Sequence, residues 1–121
     1  MELKCIQHTQ RETCALAVIH ETLGAFELWR TTDLKKSDVL LMKGAYIPKL
    51  VYGTAIIKIN TALETFAEIE ETIMHELLHH VFHVQVRSLK EEQLVRTLTP
   101  LLPHIVKAAR ELTSALLDAS A

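Results

Sequence analysis

The chain has 121 residues with 49% apolar and 23% charged side chains, a mixture that supports one compact domain and argues against a disordered chain or a second domain of ordinary size. Thirteen basic residues against fifteen acidic ones leave a net charge of −2, which is not the basic footprint of a nucleic-acid binder. The two cysteines, Cys5 and Cys14, are too few for a disulfide scaffold and read as reduced thiols.

No apolar run approaches the roughly 20 residues needed to span a bilayer. No charged-then-apolar leader follows Met1, so a cytoplasmic protein without membrane attachment is expected. No repeat or low-complexity linker interrupts the chain, and residues 1–121 are read as a single domain.

In chain order, residues 2–7 suit a short strand. From Arg11 to about Leu28 the apolar positions Cys14, Leu16, Ala17, Val18, Leu23 and Phe26 predict a helix, with an end near Gly24. Arg30 to Ser37 is polar and reads as a connection. Val39-Leu40-Leu41-Met42 reads as a short buried strand closed by Lys43-Gly44, and Pro48 and Gly53 bracket a turn. The clearest strand is Thr54 to Asn60, with Ile57 and Ile59 on one face and Lys58 and Asn60 on a half-exposed other.

Thr61 or Thr65 can cap a long helix from about Leu63 to Val84. Its apolar residues Phe66, Ile69, Ile73, Leu77, Val81 and Val84, widened by Met74, Leu78 and Phe82, cover most of the circumference and predict a buried central helix. Ser88 and Glu91 form a capping-box pattern that opens a further helix. Pro100 and Pro103 interrupt it, and a last helix is expected from Pro103 to Asp118. The sum is an α+β fold with a small antiparallel sheet and C-terminal helices.

The chemistry concentrates in His75-Glu76-Leu77-Leu78-His79, an H-E-x-x-H motif inside the long helix. Residues four apart lie about 40° apart around a helix, so both imidazoles can reach one metal ion. Glu76, on the adjacent face, is placed to act as general base towards a water rather than as a ligand. Two histidines, one glutamate and an open coordination position are the parts of a zinc peptidase acting on peptide bonds. Chance alone yields this motif in roughly 0.04 of shuffled chains of this composition, so accident is a poor explanation.

Zinc needs a third protein ligand, and His80, His83, Glu91 and Glu92 are the nearby candidates. His83 lies about 12 Å along the axis from His75 and is out of reach unless the helix breaks. Glu91 shares a side with Val95, Leu98 and Leu102, whereas Glu92 faces Arg96, so helical phase favours Glu91. His80, Tyr46 and Tyr52 are candidates for an extra donor to a developing oxyanion. The strand from Thr54 to Asn60 is expected to border the cleft and to pair with an extended peptide substrate.

The stretch Glu70 to His80, followed by Leu89 to Val95, resembles small zinc-metallopeptidase-like proteins of phages and prophages. More distantly, it is similar to the family that cleaves repressors of mobile elements. The resemblance runs from about Thr54 to Leu102, roughly half the chain, with His80 standing where a small residue is common. It implies a minimal zincin-like fold with Zn²⁺ on His75, His79 and a glutamate of the next helix, the gluzincin arrangement. A catalytically idle zinc-binding domain with a regulatory or assembly role would keep the same ligands. A weaker alternative is a papain-like cysteine peptidase, in which Gln7 supplies the oxyanion hole and Cys14 begins a helix, with Ala15 in place of the usual glycine.

Overall fold

The computed structural model describes residues 1–9, 13–32, 34, 42–49, 53–86 and 88–120. The architecture is α+β: five strands in one mixed sheet, with helices against one face. Strands β1 (Glu2–Thr9), β2 (Thr13–His20) and β3 (Gly24–Thr31) form an antiparallel meander. Strands β4 (Gly44–Ile47) and β5 (Ile56–Asn60) complete the sheet in the order β1-β2-β3-β5-β4. Of the strand expected at Val39 to Met42, residues 39–41 lie outside the described residues, and Met42 precedes β4.

The helix expected from Arg11 to Leu28 is instead the hairpin β2–β3. Cys14, Leu16, Val18 and His20 are buried at a period of two, while Ile19 between them is 56% exposed. The same apolar residues fit a helical stripe only because Ala and Leu fill the gaps, and Val, Ile, Phe and Trp favour extended backbone. Gly24, with φ of 83°, turns the chain between the strands. His20 closes that turn: its Nδ1 accepts hydrogen bonds from the Thr22 and Leu23 amides at 3.0 Å each.

The sheet is mixed rather than antiparallel because β5 enters between β3 and β4, running parallel to β3 and antiparallel to β4. β5 is therefore central. Ile57 and Ile59 are fully buried, and Asn60 is buried too rather than half-exposed. Its Nδ2 donates to the carbonyls of Leu34 and Met42, and its Oδ1 accepts from the Ala62 amide. A buried amide satisfied on both sides joins the start of β4 to the end of β5.

Helix α1 (Phe66–Val81) starts at Thr65, whose hydroxyl accepts from the Glu68 amide at 3.2 Å. Ile69, Ile73, Leu77 and Val81 pack on Leu16, Val18, Phe26, Leu28, Ile57 and Ile59 of the sheet. The opposite side of α1 is open, with Phe66 and Leu78 about 40% exposed, so the helix is amphipathic and not buried all round. Its last turn widens into a π-helical turn, Phe82–Val86.

Helix α2 (Glu91–Leu98) starts at Lys90, which contributes no side-chain cap, so the Ser88 capping box is not used. None of its residues is buried, and Val95 and Leu102 are exposed. A 3-10 turn, Thr99–Leu101, leads to helix α3 (Leu102–Ala119), whose Ile105, Ala109, Leu112 and Leu116 complete the core. No helix of the described residues is long and apolar enough to cross a membrane.

Candidate metal centre

The motif lies where α1 passes β4. The ligand atoms of His75, Glu76 and His79 all lie within 4.8 Å of one another. The two imidazoles stand edge to face with centroids 4.9 Å apart, and His75 Nε2 is 3.7 Å from Glu76 Oε1. His75 and His79 are exposed, while Glu76 is 5% exposed. Together with Met42, Gly44, Ala45, Tyr46 and His83 they line a shallow cavity of about 350 Å³.

Gly44 sets the distance between strand and helix. A Cβ at this position would stand 2.6 Å from Thr72 Cγ2, 3.0 Å from the Lys58 carbonyl oxygen and 3.4 Å from Glu76 Cγ. Thr72 cannot swing aside cheaply, because its hydroxyl donates to the Glu68 carbonyl at 2.8 Å. The absent side chain thus lets β4 lie against the turn that carries Glu76.

Burial pushes the Glu76 carboxyl above its ordinary range, and the neighbouring His75 and His79 pull it back. A carboxylate in this position wants a cation. Two imidazole nitrogens are donors that suit a zinc-sized divalent ion, and the carboxylate beside them would balance its charge, so the residues present fit such a group.

His80, one residue further on, is of another kind. It is 2% exposed and both ring nitrogens are engaged. Nε2 meets the Leu23 carbonyl at 2.9 Å, and a carbonyl only accepts, so Nε2 carries the proton. Nδ1 then accepts from the Tyr46 hydroxyl at 2.9 Å. Burial holds this imidazole below its ordinary pKa of 6.5; the Leu23 carbonyl opposes that shift and His83 adds to it. His80 therefore has no nitrogen left for an oxyanion, and Tyr46 has committed its only hydroxyl proton. Tyr52 lies outside the described residues.

Glu91 and Glu92 are exposed on α2, and the described metal-capable group contains neither. Of the side inferred for Glu91, Leu98 does pack on the core, but Glu91 itself, Val95 and Leu102 are exposed. His83, set aside on helical distance, lines the cavity after all. It lies in the π-helical turn and stacks on the Tyr46 ring at 5.5 Å with an interplanar angle of 27°. Neither this turn nor the close approach at Gly44 leaves a mark in side-chain spacing.

Two further expectations change. β5 has both edges paired, so among the described residues the strand with an unpaired edge beside the cavity is β4. Cys14 lies inside β2 and not at a helix start, and the side chain of Gln7 is outside the described residues, so the cysteine-peptidase geometry has no support. No family model, curated protein or solved structure matches this chain.

Proposed function

We propose that the protein is a zinc-dependent peptidase of the H-E-x-x-H type, related to the small phage and prophage proteins that its motif resembles. The observation that carries this reading is the convergence of His75, Glu76 and His79 within 4.8 Å beside an edge strand. In it, His75 and His79 hold the ion. A zinc ion held there would supply Lewis acidity, lowering the pKa of water at the site and polarising a peptide carbonyl.

Glu76 takes a proton from the attacking water and returns it to the leaving amine nitrogen. An extended peptide adds to the edge of β4 that no described strand pairs, by main-chain hydrogen bonds, which places its carbonyl beside the α1 turn. Apart from the two ligands, His83 is the side-chain N–H that remains in the described cavity wall, where its ring stacks on Tyr46, and it is the candidate donor to that carbonyl.

The test is cleavage of a broad library of extended peptides by zinc-loaded protein. Wild type should cleave, and Glu76→Gln should retain zinc yet lose at least about a hundredfold in rate. Zinc-loaded wild type that cleaves nothing would favour an idle metal-binding domain, and undiminished cleavage by Glu76→Gln would refute the base.

A further inference from the structure

At the other edge of the sheet a second pair of reactive side chains meets. Cys5 of β1 stands opposite Leu16 of β2, and His8 opposite Cys14, with a register slip between Cys5 and Gln7. Leu16 and Cys14 share the core-facing side of β2, and residues opposed across an antiparallel pair share a face, so Cys5 lies on the same side as Cys14. Cys5 is near enough to Cys14 to act on its thiol. Their exposures differ: Cys5 is open to solvent, and Cys14 is 3% exposed.

Arg30 of β3 stands opposite Cys14 on its other flank. Its Nη1 donates to Ser120 Oγ and its Nη2 to the Leu63 carbonyl, while its Nε is buried with no hydrogen-bond partner among the described residues. Burial pushes the Cys14 thiol up, Cys5 adds to this, and the Arg30 charge pulls it down.

We propose that Cys5 and Cys14 are a modification site, a reversible intramolecular disulfide made by exchange with a low-molecular-weight disulfide. The exposed Cys5 thiolate attacks one sulfur of the small disulfide, whose S–S bond breaks and releases one thiolate. Cys14 gives up its proton to the first released thiolate, with Arg30 favouring the anion, and its sulfur attacks Cys5 and expels the second small thiolate, which is protonated from water. Two protein thiols are oxidised and one small disulfide is reduced to two thiols. The bond ties the edge strand β1 to β2.

Incubation of the reduced protein with glutathione disulfide, followed by alkylation in denaturant and intact mass, tests the proposal. Wild type should end as a monomer that has lost two hydrogens, carries no glutathione and has no alkylatable thiol. Cys14→Ser should retain one glutathione on Cys5, and Cys5→Ser should stay unmodified while folded. Wild type with a lasting glutathione on Cys5 and a free Cys14 thiol, a Cys5–Cys5 linked dimer, or no reaction at all would each overturn it.

Discussion

The two sides of α1 carry polar groups under opposite conditions. On the open side His75 and His79 face solvent and line the cavity beside β4. On the sheet side His80 is saturated by Tyr46 and Leu23, and is as much part of the core as Leu77 beside it in the helix. Adjacent histidines are thus sorted by about a quarter-turn of helix into a site residue and a structural one. Glu76 sits between these conditions: buried like His80, but satisfied only when something positive joins it.

The comparison is sharpened most by exchanging the two adjacent histidines in turn. His80→Ala should destabilise the metal-free protein by about 2–4 kcal/mol, since it opens a void and strips the partners of Leu23 and Tyr46. His79→Ala should change metal-free stability by no more than about 0.5 kcal/mol, because it is exposed. Denaturant midpoints decide, and equal losses would erase the distinction between the two sides.

Gly44→Ala comes next. The added methyl meets Thr72 and the Lys58 carbonyl, so a loss of about 1–3 kcal/mol is expected, with zinc affinity falling as Glu76 is displaced. An alanine variant with unchanged midpoint and affinity would show that strand and helix do not need their close approach.

The pH dependence of metal-free stability is a smaller effect with a definite sign. His20 and His80 lie below their ordinary 6.5, chiefly through burial, so the unfolded chain takes up protons that the folded one refuses. Their contribution is complete above about pH 6.5 and is lost as pH falls below it. Glu76, raised from 4.5, works the other way: its contribution is present at low pH and lost as pH rises through its raised value. Glu76→Gln should accordingly gain stability at neutral pH without metal and lose it more steeply on acidification. Parallel pH profiles for wild type and Glu76→Gln would contradict this.

Much of the site side was legible in the sequence, because the motif, the Thr65 cap and the 3.6-residue period of α1 are local signals. What escaped was set by the rest of the fold. The helical reading of residues 11–28 fails because Ala15, Leu16 and Ala17 suit either state, and pairing with β1 and β3 decides. Insertion of β5 beside β3 depends on how the chain returns, which no spacing records. Glu91 is exposed in the first turn of α2, whose half-buried residues are Leu94, Thr97 and Leu98, and how deeply a short helix end docks is not recorded in its phase. On that geometry, Glu91→Ala and Glu92→Ala should both leave zinc affinity within about threefold of wild type, the smallest effect expected. A sharp loss in Glu91→Ala alone would return the third ligand to that residue.

The central claim is that the open side of α1 is a metal site, and a zinc titration by calorimetry on metal-free wild type, His75→Ala, His79→Ala and the double variant tests it directly. The account predicts about one zinc per wild-type chain, binding weakened at least about a hundredfold in either single variant, and none detectable in the double. Stoichiometric zinc binding of unchanged affinity in the double variant would contradict it.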